Sequence, residues 1–160
     1  MRLTRYTDFC FRVLIHVGLK GEALSTTREI SDRYQISNNH LMKVVYDLNV
    51  LGYLETVRGK NGGIRLGRAP DSINLGTLIR ETETDSALAE CQTADNRCRI
   101  APGCRLREVL SEALGAFLTV LDRYTLADLL EPKEELSRLL GLDFSQSALA
   151  RNRAFKRAVR

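Results

Sequence analysis

Hydrophobic residues recur at helical spacing near the start of the chain. Over residues 4–19 this spacing predicts an amphipathic helix with one apolar stripe. The stripe consists of Tyr6, Phe9, Cys10, Val13, Leu14 and Val17. Asp8 and Arg12 fall on the opposite side, beside Phe11 and Ile15. We expect the stripe, with Cys10, to enter the core and the mixed second face to be available to a partner.

The next apolar pattern predicts two short helices joined by a tight turn. Thr26-Thr27-Arg28-Glu29 fits a capping box, in which Thr26 caps a helix running to about Tyr34 and Glu29 reaches back to the Thr26 amide. Ser37 then caps a helix over about 38–51, whose Leu and Val residues share one face. Two helices in this arrangement, the second polar at its N-terminal end, are typical of a helix-turn-helix.

Alternating residues after Gly52 predict a β-hairpin. Runs with β-propensity at 54–58 and 64–66 flank Gly59-Lys60-Asn61-Gly62-Gly63, and Asn-Gly between two such runs favours a hairpin. We expect Arg58, Lys60 and Arg65 at its tip, with no acid nearby. A helix-turn-helix followed by a basic hairpin predicts a winged helix that ends at Pro70.

The second half of the chain alternates between helical and irregular stretches. A short helix is predicted at 75–83, an irregular loop at 84–105, and a strongly amphipathic helix from Leu106 to Tyr124, the longest predicted. Its apolar stripe consists of Leu106, Val109, Leu110, Ala113, Leu114, Phe117, Val120, Leu121 and Tyr124. We expect a second copy of this helix to cover the stripe, giving a homodimer. Another short helix is predicted at 132–140, ended by Gly141.

Composition and charge support this division. A chain of 160 residues, 44% hydrophobic and 28% charged, fits a packed domain and excludes disordered and membrane-spanning classes. Residues 1–70 contain 11 Lys and Arg against 6 Asp and Glu, residues 71–142 contain 8 against 13, and residues 143–160 contain 5 against 1. We therefore predict a mainly α protein with a DNA-binding winged helix at 1–70, a loop and dimerisation helix at 71–142, and a disordered basic tail at 143–160. The absence of a leader or membrane segment predicts a cytoplasmic location and no membrane partner.

The polar residues of the winged helix are candidates for contacts with double-stranded DNA. At the start of the second helix, side chains could read base edges in the major groove, and the preceding helix could hold phosphates. The base-reading candidates are Asn38, Asn39, His40 and Lys43, and the phosphate-binding candidates are Thr26, Thr27 and Arg28. Arg58, Lys60 and Arg65 suit the adjacent minor groove or its backbone.

Three of the four cysteines lie together in the irregular loop. The gaps from Cys91 to Cys98 and Cys104 are too wide for zinc knuckles and suit an iron–sulfur cluster better. Three thiolates leave one position for a weaker ligand, which a sensor of a small reactive molecule requires. The candidates are Asp8, His16, His40, Glu90 and Asp95. With two histidines and no glycine-rich nucleotide loop, the chain has little catalytic equipment, and we do not expect an enzyme.

Four features of residues 1–140 together resemble those of one protein family. They are the opening Met1-Arg2-Leu3-Thr4-Arg5-Tyr6-Thr7-Asp8-Phe9, the helix-turn-helix, the glycine-rich wing, and the three-cysteine loop before a long helix. That family is the IscR/NsrR family of winged-helix repressors. The resemblance implies a homodimer on an inverted-repeat operator, with one 2Fe–2S or 4Fe–4S cluster per subunit on Cys91, Cys98 and Cys104.

The same resemblance implies an effector and a fourth ligand. The N-terminal segment is most similar to the nitric-oxide-sensing branch, in which nitrosylation releases DNA, and the acidic ligand from the partner subunit's first helix maps to Asp8. The assembly-regulator branch has a histidine three residues after its third cysteine, where this chain has Arg107. The first cysteine gap is six residues, whereas five is commoner.

Two other functions fit the residues. One is a regulator without a cluster, in which two loop cysteines form a disulfide as a thiol switch. The other is an iron–sulfur electron-transfer or cluster-carrier protein with an incidental winged helix, for which we would expect no sequence-specific DNA binding.

Overall fold

The computed structural model describes residues 2–142 as a helical protein with one small antiparallel sheet. The predicted basic tail at 143–160 lies outside the described residues. The elements are α1 (Arg5–Lys20), α2 (Thr27–Tyr34), α3 (Asn38–Val50), β1 (Leu54–Val57), β2 (Gly63–Leu66), α4 (Leu75–Thr82), α5 (Leu106–Leu121), α6 (Leu126–Leu129) and α7 (Lys133–Leu139). The predicted fold class, a winged helix-turn-helix followed by a long helix, is confirmed.

Side-chain caps fix the starts of the first three helices. Thr4 accepts a hydrogen bond from the backbone N–H of Thr7 at 3.2 Å, and Thr26 accepts one from that of Glu29 at 3.1 Å. Ser37 caps α3 in the same way. The Glu29 carboxylate of the predicted capping box accepts two hydrogen bonds from Lys20 Nζ, at 2.8 and 3.1 Å. Burial alone would raise the pKa of Glu29, but Lys20 and the Thr26 backbone N–H together hold it below its usual value.

The core lies between α1, α3 and the hairpin, with α4 and α6 against it. The predicted stripe of α1 enters this core, and Cys10 is fully buried. Burial raises the pKa of the Cys10 thiol to about 12, so this sulfur stays protonated at neutral pH. Cys10 is therefore a core residue, as expected.

His16 is fully buried as well, which the sequence pattern did not indicate. Among residues 2–142, neither of its ring nitrogens has a hydrogen-bond partner, and its closest acid is Glu29, with 3.6 Å between Nε2 and Oε1. Burial lowers the pKa of His16, although the Glu29 charge opposes the shift.

The hairpin pairs Leu54 with Leu66 and Val57 with Gly63. A third backbone segment joins it, because Ser25 and Ile64 exchange two backbone hydrogen bonds of 2.8 and 2.9 Å. A Cβ at Gly63 would lie 2.5 Å from the Ser25 carbonyl oxygen, so this close approach requires glycine.

The long helix α5 is shorter than predicted. It ends at Leu121 and has 16 residues, the same length as α1, so Tyr124 lies beyond it. The Tyr124 carbonyl instead accepts a hydrogen bond of 3.0 Å from the backbone N–H of Leu75, and the next residues form the unpredicted four-residue helix α6. Arg80 holds Asp122 through two hydrogen bonds of 2.6 and 2.7 Å, which fixes the C-terminal end of α5 against α4. Within residues 2–142, no helix is long and apolar enough to cross a membrane.

Candidate functional site

The N-terminal end of α3 presents the predicted base-reading residues to solvent. Asn38, Asn39 and Lys43 are exposed, and in the part of the chain that the structure describes none of their side chains has a hydrogen-bond or ion-pair partner. His40 is also exposed, but its Nδ1 lies 2.9 Å from Ser37 Oγ and its ring 6.3 Å from that of Phe9. Three of the four side chains therefore have no partner among the described residues, and the fourth contacts the residue that caps α3.

The start of α2 carries the predicted phosphate-binding residues. Arg28 is exposed, Thr27 is half-buried, and the Thr26 side-chain oxygen is occupied by the helix cap. Among the described residues Arg28 has no acidic partner.

The three basic residues predicted at the tip of the wing differ in position and in whether they pair with an acid. Arg58 and Lys60 are exposed in the five-residue loop 58–62 and have no acidic partner among residues 2–142. Arg65 lies on β2 directly opposite Glu55, and its guanidinium donates to Glu55 Oε2 from Nε at 3.0 Å and from Nη2 at 2.9 Å. The expectation that no acid lies nearby is therefore wrong, because the strand register brings Glu55 to Arg65.

The three-cysteine loop, residues 84–105, connects α4 to α5 and contains two short 3₁₀ turns. Cys91 is buried in the first turn, whereas Cys98 and Cys104 are half-buried, and all three are free thiols. The loop is attached to α5 by a 3.3 Å hydrogen bond from Gln92 Nε2 to Ser111 Oγ. Apart from Cys91 it buries no residue.

The donor set of the loop fits an iron–sulfur cluster. Thiolates are the usual protein ligands of such clusters, and three occur on one irregular segment with little buried packing to hold it in a single shape. Over residues 2–142, however, the structure does not bring three Cys, His, Asp or Glu side chains into a metal-binding group. The loop would therefore have to close around a cluster.

The candidates for a further ligand lie in different places. Asp8 is half-exposed on α1 and pairs with Arg12 across one helical turn, with 2.8 Å between the charged atoms. Glu90 lies in the cysteine loop, where its Oε1 accepts a hydrogen bond from the backbone N–H of Arg97, and Asp95 is exposed in the same loop. His16 is enclosed in the core and His40 lies at the start of α3. Of the five, Asp8, Glu90 and Asp95 are accessible carboxylates outside the core and away from α3.

Hydrogen bonds connect the residues just before the cysteine loop to α3, the second helix of the helix-turn-helix, which we call the recognition helix. Glu83, the last residue before the loop, accepts from the backbone N–H of Thr4 at 2.8 Å and from its hydroxyl at 3.1 Å. On the next turn of α1, the Thr7 and Thr82 hydroxyls are 3.0 Å apart in a buried hydrogen bond. Tyr6 then donates to Asp47 on α3 at 2.7 Å. Sequence reasoning missed this connection, because its partners are 41 to 79 residues apart.

The apolar residues of α5 face two directions. Leu110, Leu114 and Phe117 line a groove of about 430 Å³, together with Leu3 of the N-terminal segment and Ile79 of α4. Leu106, Val109 and Val120 are 51%, 55% and 49% exposed, and no residue of α5 is buried. Ala113 and Tyr124 are exposed too, and Leu121 is half-buried. The predicted dimerisation stripe is therefore a broad apolar surface that the described part of the chain does not cover.

A winged helix with uncommitted basic and amide side chains on its recognition helix and wing defines a DNA-binding transcriptional regulator. The Rrf2 family model, described as an iron-dependent transcriptional regulator, matches residues 3–132. The chain belongs to the Rrf2 family and is similar to the NsrR-type repressors within it, which confirms the resemblance inferred from its motifs. Members of this family regulate transcription and are not enzymes, as expected.

Individual relatives support the same assignment. The chain is 52% identical over 143 residues to the HTH-type transcriptional regulator NsrR of Bacillus subtilis, covering 88% of this chain and 97% of the relative. It is 51% identical over 142 residues to the protein of the same name from Bacillus licheniformis, covering 88% and 99%.

Solved structures show the same fold. CymR, the global cysteine regulator of B. subtilis, matches 81% of this chain and 95% of its own, with 25% identity and a TM-score of 0.65. IscR of T. potens matches 85% of this chain and 90% of its own, with 24% identity and a TM-score of 0.63. The second likeness bears on the fold alone.

Proposed function

We propose that this chain is a homodimeric repressor that binds an inverted-repeat operator and releases it when nitric oxide reacts with an iron–sulfur cluster on residues 84–105. The observation that carries the proposal is the position of the three free cysteines, on the loop that begins directly after Glu83. Glu83 holds the N-terminal end of α1, and α1 contacts the recognition helix. The iron-dependent description of the family and the NsrR name of the relatives support this function.

In the proposal, Cys91, Cys98 and Cys104 hold one 2Fe–2S or 4Fe–4S cluster per subunit, and Asp8 of the partner subunit supplies the weaker ligand. A bound cluster supplies iron atoms that react with nitric oxide. Asp8 suits its role because its carboxylate is half-exposed and its only ion-pair partner among residues 2–142, Arg12, is on the same helix. An exposed pair of this kind is worth less than about 1 kcal/mol, so Asp8 can leave it at little cost.

In the proposal, hydrogen bonds within the chain transmit a change in the cysteine loop to the recognition helix α3. A change in the shape of the loop acts on Glu83, and Glu83 moves the N-cap of α1 through its two bonds to Thr4. Because Tyr6 joins α1 to Asp47 on α3, a tilt of α1 changes the angle of the recognition helix. In a dimer, a small tilt of each α3 alters the spacing of the two DNA-reading surfaces, on which operator affinity depends.

The proposed dimer interface is the exposed surface of α5. Leu106, Val109 and Val120 lie on its outward side and are about half exposed, so burying the rest of each side chain is worth roughly 0.8–1.5 kcal/mol, half of the value for full burial. A two-fold axis beside α5 places the same surface of both subunits against one another.

Whether the three loop cysteines hold an iron–sulfur cluster is tested on protein purified without oxygen. Iron and acid-labile sulfide per chain and the visible spectrum are measured for the wild type and for single Cys→Ala variants at positions 91, 98 and 104. The matched control is Cys10→Ala, because that thiol is enclosed in the core. We expect a brown wild type and control and loss of iron in the three loop variants. A colourless wild type with a Cys–Cys disulfide would favour the thiol switch instead.

The role of Asp8 needs its own variant. Asp8→Ala should keep the fold, because Asp8 is exposed, but should change the visible spectrum or the nitric oxide sensitivity of the loaded protein. Arg12→Ala removes the same ion pair while leaving the carboxylate and serves as the control. An Asp8→Ala protein with the wild-type spectrum and sensitivity would remove Asp8 from the mechanism.

A further inference from the structure

The solvent-facing side of α3 carries apolar residues among its polar ones. Met42 is 57% exposed and Tyr46 is 68% exposed. Neither side chain has a partner in the part of the chain that the structure describes. At 100° per residue, Asn39, Met42, Lys43 and Tyr46 lie within an arc of about 100°, so the apolar and polar side chains form one surface. This surface lies opposite Leu41, Val44 and Leu48, which are buried.

The surface continues the predicted DNA-reading end of the helix. Met42 is one turn from Asn38 and Tyr46 is two turns away, about 12 Å along the axis, close to the width of the DNA major groove. Lys43 on the same surface, Arg28 on α2, and Arg58 and Lys60 on the wing supply positive charge that is not neutralised by acids of residues 2–142. These charges favour a polyanion as the occupant over a protein face.

We propose that Met42 and Tyr46 read thymines in the major groove by contacting their 5-methyl groups. The thymine methyl is the apolar feature that distinguishes an A·T pair in that groove, and apolar side chains recognise it. Asn38 and Asn39 pair well with adenine, so amide and apolar groups on one helix face select A·T-rich sequence together. The inference rests on the proposed docking of α3 in the major groove and is independent of the cluster.

Val50 provides a matched control on the same helix. It is 66% exposed, as apolar as Met42 and Tyr46, and one turn beyond Tyr46. It shares one groove with Lys43, Tyr46 and Asp47, but it lies about 18 Å along the helix axis from Asn38, farther than the width of the major groove. We expect Val50 to lie outside the DNA contact.

The test uses oxygen-free full-length protein and a duplex that it has selected from a random-sequence library. Each thymine of one half-site is replaced in turn by deoxyuridine, which lacks only the methyl group. Loss of one buried methyl should raise Kd about fourfold at one or two positions. In Met42→Ala or Tyr46→Ala, the corresponding uracil should have no further effect, whereas Val50→Ala should retain the wild-type pattern.

Three results would overturn the inference. A duplex bound equally well with every thymine replaced would refute methyl recognition while leaving DNA binding intact. Failure to enrich any duplex would refute sequence-specific DNA binding itself and the inference with it. A change of assembly mass in Met42→Ala or Tyr46→Ala, with unchanged uracil sensitivity, would make this surface a protein interface. The thermal midpoint of each variant, expected to match the wild type, shows that it is folded.

Discussion

Two arginines on the wing should differ sharply in their contribution to DNA binding. Arg58 has no acidic partner among the described residues, whereas Arg65 is held by Glu55 through two hydrogen bonds. Each is changed to alanine in the same background. Arg58→Ala should remove a phosphate contact, and Arg65→Ala should remove a charge that Glu55 already neutralises.

The size of the difference follows from counterion release. The logarithm of the binding constant falls with the logarithm of salt concentration with a slope of about −0.9 per phosphate neutralised. A dimer that loses Arg58 from both subunits loses two contacts, so its slope should be less steep by about 1.8. Between 50 and 200 mM salt this makes the affinity loss of Arg58→Ala about twelvefold smaller at the higher concentration. Arg65→Ala should leave the slope within experimental error of the wild type.

The assay is fluorescence anisotropy of a labelled operator duplex over this salt range. Glu55→Gln gives a complementary check, because it frees Arg65 and should make the slope steeper. Equal changes of slope in Arg58→Ala and Arg65→Ala would show that the ion pair with Glu55 does not keep Arg65 from DNA. A change near 0.9 for Arg58→Ala would indicate that one subunit, not two, contacts the DNA.

Three further predictions concern the wing, the buried histidine and the link to the loop. Gly63→Ala places a methyl 2.5 Å from the Ser25 carbonyl oxygen, so it should shift the wing and weaken operator binding by tenfold or more without unfolding the protein, as measured by anisotropy and circular dichroism. Because the pKa of His16 is lowered in the folded state, the unfolded chain binds its proton first as pH falls below about 6.5. The free energy of unfolding should thus decrease from pH 7 to 5.5, by at most about 1.4 kcal/mol per pH unit, and a urea titration of His16→Leu should lack this contribution. Glu83→Ala breaks both bonds to Thr4 and should reduce the ratio of operator affinities before and after nitric oxide, with iron content unchanged; an unaltered ratio would exclude this path.

Much of the winged helix could be predicted because its determinants are local. The caps at Thr26 and Ser37 act within three residues of themselves, and the apolar stripes of α1 and α3 follow directly from helical period. The two hydrogen bonds from Lys20 to the Glu29 carboxylate were not predicted, because Lys20 lies on another helix. A capping box and an ion pair compete for the same side chain, and the sequence alone does not rank them.

The site was less predictable because its side chains depend on register and long-range contacts. The pairing of Glu55 with Arg65 depends on the strand register, which the length of the hairpin loop sets. His16 lies at the margin of the α1 stripe, about 20° from Phe9 at helical spacing, so its burial depends on how closely α2 packs. The contact between Thr4 and Glu83 spans 79 residues and no local signal marks it.

If the state of the cysteine loop controls operator affinity, a single titration will reveal it. Oxygen-free wild-type protein bound to its labelled operator is titrated with nitric oxide, while anisotropy and the visible spectrum are recorded on the same sample. We expect the visible spectrum to change and the operator to be released over the same range of nitric oxide concentration. A spectrum that changes completely while the operator stays bound would contradict it.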